Sequence, residues 1–125
     1  MKATIVAAFL CGLLATAAQA QTTAVPQGAS IEFRMDADPA NLAGCRGLDA
    51  TLSRVHSITP QGETARLKLA GGFTETLKQT SPGIYTTVFT LSGVRLDVMA
   101  NASASPRTLT VTDKNRGCHW NAIAK

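Results

Sequence analysis

The sequence has few of the residues from which catalytic centres and stacking surfaces are built. Its 125 residues include one tryptophan, one tyrosine and two histidines, and 16% are charged. It contains neither the C-x-x-C nor the H-x₃-H spacing that is typical of metal sites. It also lacks the nucleophile elbow G-x-S-x-G, a phosphate-binding glycine loop and the D-x-D-x-D-G pattern of calcium loops. These absences argue against the common hydrolase, nucleotide-binding and metal-binding classes, and we expect no cofactor.

Long apolar runs are also missing, apart from a short one at the start. Met1-Lys2 precedes an apolar stretch from Ile5 to Ala15, which is followed by the A-x-A ending Ala18-Gln19-Ala20. These are the three parts of a cleavable signal peptide. A membrane anchor needs about 20 apolar residues, more than this run provides. We therefore expect residues 1–20 to be removed as a signal peptide, and the protein to be periplasmic or secreted.

The mature chain is short and mildly basic. It would have 105 residues, with 11 basic against 8 acidic side chains once Lys2 is removed, or a net charge of +3. This length allows one small domain, which we place at 29–125 after a flexible lead-in at 21–28. Another protein or an anionic envelope polymer is the expected partner. Export and the lack of aromatic platforms between basic residues argue against nucleic acid, and no further segment is long enough to span a membrane. The oligomeric state is not indicated.

Only two cysteines remain after cleavage, because Cys11 lies within the apolar run of the signal. Cys45 and Cys118 in a small exported domain are expected to form a disulfide. The alternative is half of a metal site with His56 and His119, but the spacing between these residues is not that of metal ligands. We therefore expect a disulfide and no metal.

Alternation of apolar and polar residues predicts an all-β domain. The first strand covers Ser30 to Met35, and six more strands follow in three hairpins from residue 63 onward. The hairpin turns are predicted at 71–72, 92–93 and 113–117, where glycine supplies the positive φ that tight turns need. A polar loop is predicted from Lys78 to Gly83. The expected architecture is an antiparallel meander that forms a small barrel or a sandwich.

The segment between the first strand and the hairpins has a mixed pattern. The apolar spacing of Leu48, Leu52 and Val55 predicts a short helix near 48–56. Val55 and Ile58 also suit a strand, because β-branched side chains pack well on a pleated surface. Both alternatives remain open from the sequence.

The run from Leu67 to Tyr85 contains Gly71-Gly72, Leu77 and Ser81-Pro82-Gly83-Ile84-Tyr85. It resembles part of the membrane-bound or periplasmic inhibitors of C-type lysozyme, which are small exported β-barrels with a disulfide between an early and a late cysteine. In those proteins the loop reads serine-glycine, two residues, tyrosine. Here Pro82 is inserted, one residue separates Gly83 from Tyr85, and the later tryptophan-x-lysine-glycine motif with its inhibitory lysine is missing. The resemblance covers about a fifth of the mature chain and implies a protein-binding, inhibitory role.

We expect a non-enzymatic exported binding or inhibitory module with no catalytic residues. Recognition residues are often carried by loops on a rigid frame, so the candidate partner-binding residues are Ser81, Gly83 and Tyr85 in the stretch from Lys78 to Tyr85. Trp120 is expected in the core, with an exposed ligand-stacking or partner-binding role as the alternative, and the same two alternatives apply to Tyr85.

Two other functional classes remain open. One is a small envelope hydrolase that uses His56 or His119 with an Asp or Ser brought near by folding. The other is a structural envelope protein whose basic residues bind anionic polymers; these are Arg66, Lys68 and Arg95.

Overall fold

The computed structural model describes residues 25–124, which form a closed barrel of eight antiparallel strands. The predicted signal peptide at 1–20, the lead-in residues 21–24 and Lys125 lie outside the described residues. Of the two architectures expected from the sequence, the barrel is confirmed. The strands are β1 (Ile31–Ala37), β2 (Val55–Gln61), β3 (Thr64–Lys68), β4 (Thr74–Ser81), β5 (Ile84–Leu91), β6 (Val94–Asn101), β7 (Thr108–Asp113) and β8 (Cys118–Ala124).

Each strand pairs with the next along the chain, and β8 returns to pair with β1. In this closing ladder Phe33 lies opposite Ala124 and Ala37 lies opposite Trp120. Side chains alternate between the two faces of a strand, so every second residue points into the barrel. The interior of an eight-strand barrel is just wide enough to be filled by side chains. The largest side chains buried there are Trp120, Tyr85, Phe33 and Met35.

The predicted helix near 48–56 is present only in part. A 3₁₀ helix covers Ala43–Leu48, a single α-helical turn, α1, covers Asp49–Leu52, and β2 begins at Val55. The helix therefore does not extend to residue 56, and the strand alternative holds from Val55, because Val55 and His56 pair with β1 and Ser57 and Ile58 pair with both β1 and β3. The sequence count of seven strands missed β2. Its inward positions include His56 and Pro60, which interrupt the apolar alternation that identifies a strand.

Proline is tolerated in β2 because of where it lies. Ile58, opposite Ile31, is the last residue of β2 in the ladder with β1, and Pro60 lies beyond it. The missing N–H of Pro60 therefore removes no bond from that ladder. Its carbonyl accepts a hydrogen bond from Gly28 N–H at 2.8 Å, which fixes the segment before β1.

The polar loop predicted from Lys78 to Gly83 is mostly strand. β4 continues to Ser81, with a register shift between Gln79 and Ser81, and β5 starts at Ile84. Only Pro82 and Gly83 form the turn. Polar residues can extend a strand here because backbone hydrogen bonds hold it and the side chains are exposed.

The disulfide between Cys45 and Cys118 is confirmed, with the Cα atoms 5.7 Å apart. It fastens the segment at 38–54, which we call the cap, to the start of β8. Leu48 and Leu52 of the cap are buried in the core. The indole N–H of Trp120 donates a 2.9 Å hydrogen bond to Asp49 Oδ1, so the expected core position of Trp120 is also confirmed. The cap therefore closes one end of the barrel.

Candidate functional site

The two ends of the barrel differ in construction. The cap end carries the cap and the tight turns β3–β4, β5–β6 and β7–β8. The opposite end, which we call the turn end, carries the β2–β3 and β4–β5 turns and the β6–β7 loop at 102–107. The candidate residues Ser81, Gly83 and Tyr85 all lie at or near the turn end.

These three residues have different environments. Ser81 is exposed, Gly83 is buried and Tyr85 is fully buried inside the barrel. Gly83 adopts φ +77°, and a Cβ atom at this position would overlap the Ser103 side chain of the β6–β7 loop. Any direct contact between this turn and a partner therefore has to come from Ser81 and its exposed neighbours. Gly83 and Tyr85 position the turn.

Hydrogen bonds join the three connections of the turn end. The Tyr85 hydroxyl donates to the Gly62 carbonyl at 3.0 Å. Gln79 N–H donates to the Glu63 carbonyl, and Ala102 N–H to the Gly83 carbonyl, both at 2.8 Å. Hydrogen bonds to the connections on both sides therefore fix the backbone that carries the exposed residues 79–82.

His56 is buried, with both ring nitrogens engaged by the backbone. Nδ1 accepts from Ala70 N–H at 3.0 Å, so Nε2 carries the proton and donates to the Leu52 carbonyl at 2.8 Å. Burial lowers the pKa of His56, Arg54 acts in the same direction, and the bond to Leu52 opposes them. No ring nitrogen is left to take a proton from a substrate. The imidazole instead ties the cap to the β3–β4 turn.

His119 is exposed on the outer face of β8. Its Nδ1 lies 3.5 Å from the Thr112 hydroxyl, at the limit of a hydrogen bond. Its backbone is fixed instead, because His119 N–H donates to Asn41 Oδ1 and the His119 carbonyl accepts from Asn41 Nδ2. Over residues 25–124 neither histidine has a hydrogen bond to a carboxylate. Within these residues neither ring therefore forms the His–carboxylate pair of a Ser-His-Asp triad.

The basic residues considered for polymer binding are not gathered in one place. Arg66 and Lys68 lie on β3, whereas Arg95 lies on β6. β4 and β5 separate these two strands, at about 4.8 Å per strand spacing. These side chains do not form a single cationic cluster.

A groove crosses the outer face of β5, β6 and β7 and reaches the β7–β8 turn. It consists of two depressions, of about 360 and 190 Å³, that share Asp97 and Lys114. Val88 and Met99 form its apolar part and are 45% and 48% exposed. We call this feature the outer groove. Sequence reasoning missed it, although Val88 and Met99 occupy outward positions of the strand alternation, where polar residues are usual.

Within residues 25–124, no group of three or more His, Cys, Asp and Glu side chains is placed to share a metal ion. No helix of this part of the chain is both long and apolar enough to cross a membrane. Comparison with known proteins gives no match to a family model, to a curated protein or to a solved structure.

Proposed function

We propose that this protein is a non-enzymatic exported binding module that contacts another protein through the β4–β5 turn. The observation that carries this proposal is the construction of the turn end. Backbone hydrogen bonds join the exposed β4–β5 turn to the β2–β3 turn on one side and to the β6–β7 loop on the other. Position 83 has to be glycine because a Cβ atom there would overlap Ser103. Rigid presentation lowers the entropy that a recognition loop loses on binding.

The environments of the histidines support binding over catalysis. His56 uses both ring nitrogens within the fold, and the Nδ1 atom of His119 contacts only a threonine hydroxyl at 3.5 Å. A general base has to reach the proton that it removes. In the described residues neither ring is both free and paired with a carboxylate that could orient it.

The experiment compares two variants of one strand. Ser81→Arg places a long charged side chain on the exposed β4–β5 turn, whereas Thr74→Arg does the same at the opposite, exposed end of β4. Each purified protein is immobilised, and the envelope proteins it retains are quantified by mass spectrometry. We expect Ser81→Arg to lose the specific partner at least tenfold and Thr74→Arg to keep it. Equal retention by both variants would contradict the role of the turn.

The resemblance to inhibitors of C-type lysozyme suggests one partner for direct measurement. Lysozyme activity on cell walls is followed with and without the protein and with the Ser81→Arg variant. Inhibition that Ser81→Arg abolishes would identify the partner class. Unchanged lysozyme activity would exclude this partner and direct the search to the proteins retained in the first experiment.

Export is the second part of the proposal and is tested separately. The disulfide fits an oxidising compartment. We expect the intact mass of the exported protein to correspond to a chain that starts at Gln21 and contains no free thiol. A product that retains Met1 and remains in the cytoplasm would contradict export.

A further inference from the structure

The outer groove does not include the β4–β5 turn, and it combines an apolar surface with a charged one. Its larger depression has an apolar and hydroxyl-rich floor. Its smaller depression, next to it at the cap end, is lined by Arg95, Asp97, Lys114 and Asn115. The larger volume, about 360 Å³, is within the range of small-ligand pockets.

The floor is suited to an apolar side chain flanked by a polar backbone. Met99 lies between Thr86 of β5 and Thr110 of β7 in the strand register. A methionine adapts its shape to what it contacts. The threonine hydroxyls on either side can donate and accept hydrogen bonds. Together these groups match an extended peptide, which alternates apolar side chains with backbone amides.

The charged end of the groove has an excess of positive charge. Lys114 Nζ lies 3.9 Å from Asp97 Oδ1, and the lysine side chain is 75% exposed, so this ion pair is weak. Arg95 is exposed and has no ion pair within residues 25–124. Two cations therefore face one carboxylate. An added carboxylate would be complementary to this end, with the Arg95 guanidinium able to bind both of its oxygens.

We propose that the outer groove binds a short extended peptide segment that carries a carboxylate. The carboxylate pairs with Arg95 and Lys114. An apolar side chain on the same face of the segment, two residues away, packs on Met99 and Val88. A polyanion fits less well, because Asp97 repels closely spaced negative charges and the apolar floor contributes nothing to them. This site is independent of the β4–β5 turn proposed above.

The test uses two synthetic peptides, acetyl-Ala-Val-Ala-Glu-amide and its Glu→Gln counterpart. Each is titrated into the ¹⁵N-labelled mature protein at low ionic strength, and the amide resonances are followed by NMR. We expect saturable shifts concentrated on β5, β6 and the β7–β8 turn. The glutamine peptide should bind about tenfold more weakly, and added salt should reduce this difference, because salt screens exposed charges.

Variants separate the two parts of the groove. Arg95→Gln should weaken binding of the glutamate peptide several-fold and leave the glutamine peptide unchanged, whereas Met99→Ala should weaken both. Lys68→Gln, which removes an exposed cation from β3, is the matched control and should change neither. Ser81→Arg should also bind the peptide normally, so a failure of the turn proposal is distinguishable from a failure of this one.

Three results would overturn the proposal. The first is the absence of saturable shifts at millimolar peptide, and the second is equal binding of the two peptides. The third is tighter binding of inorganic polyphosphate that does not depend on Met99, since this would assign the groove to anionic polymers.

Discussion

The His56 ring joins two parts of the fold through its two nitrogens, Leu52 of the cap on one side and Ala70 of the β3–β4 turn on the other. The Ala70 N–H can only donate, so the neutral ring with its proton on Nε2 is the form that satisfies both bonds. Protonation of Nδ1 would remove an acceptor and bury a charge. The role of this histidine is therefore structural.

A pH dependence of stability follows from this arrangement. The folded pKa of His56 lies below its ordinary value of 6.5, so between these two values the unfolded chain binds a proton that the folded chain does not. The contribution of neutral His56 to the free energy of unfolding is fully present above about pH 6.5. It is lost as the pH falls through this window, by up to about 1.4 kcal/mol per pH unit. Urea denaturation from pH 7.5 to 5 measures this. His56→Gln should flatten the profile and His119→Gln should not; a flat wild-type profile would contradict the prediction.

Gly83 makes a second prediction at the scale of single residues. Alanine at this position would be strained at φ +77° and would collide with the Ser103 side chain. Gly93 has nearly the same φ, +79°, but open space around it. The strained backbone conformation costs alanine about 1–2 kcal/mol at either position. The collision with Ser103 adds to this cost at position 83 only, so Gly83→Ala should be more destabilising than Gly93→Ala. Adding Ser103→Gly should recover the difference in a double-mutant cycle. Equal losses at the two glycines would show that the contact with Ser103 is unimportant.

At the scale of elements, the cap is held to the barrel at several points. Besides the disulfide and the Trp120–Asp49 bond, Arg116 donates from Nη1 to the Gly44 carbonyl and from Nε to the buried carboxylate of Asp113. The Arg116 side chain holds the pKa of Asp113 below its usual range. The β7–β8 turn and the cap therefore form one connected unit at this end of the barrel.

The disulfide stabilises the protein mainly by reducing the number of conformations open to the unfolded chain. It joins residues separated by 73 positions, and closing such a loop is worth about 4 kcal/mol in the chain-entropy model. We expect the Cys45→Ser/Cys118→Ser variant to lose stability of this order in chemical denaturation, with the barrel still formed by far-UV circular dichroism. Trp120→Phe keeps an aromatic side chain but is smaller and loses the bond to Asp49, so it should lose at least about 1–3 kcal/mol. A double serine variant as stable as the wild type would contradict this account.

At the scale of the whole molecule, closure of the barrel leaves no free edge among the eight described strands, because β1 pairs with β8 as well as with β2. This pairing also places the first residues of β1 beside the last residues of β8, with Phe33 opposite Ala124. We therefore expect the order of neighbouring strands, and not the position of the chain ends, to define the fold.

A circular permutant tests this statement. Joining Ala124 to Val25 with a glycine-serine linker long enough to span the two residues, and opening the chain between Ser92 and Gly93, keeps all eight ladders. Since this turn is exposed at both residues, we expect the permutant to fold with the same near-ultraviolet signal from buried Trp120 and with reduced stability. An unfolded or aggregated permutant would show that the β5–β6 hairpin has to be continuous for the barrel to form.

Local sequence patterns predicted much of this protein. The alternation around Leu96 and Val98 predicted a strand, the glycine at Gly93 predicted a hairpin turn, and the two remaining cysteines predicted the disulfide. These features depend on interactions between residues that are near one another in the chain, or on a pairing with only one possible partner.

The tertiary structure decided the rest. β2 was not among the seven counted strands, because His56 is acceptable at an inward position only where Leu52 and Ala70 bond its ring, and Pro60 only where the ladder with β1 has already ended. The packing of Gly83 on Ser103 was not recognised either, and only the structure decided that Tyr85 lies in the core and not on the surface. The outer groove likewise depends on three strands lying side by side. Such properties depend on contacts between residues far apart in the chain, and a pattern read along one strand contains no information about its neighbours.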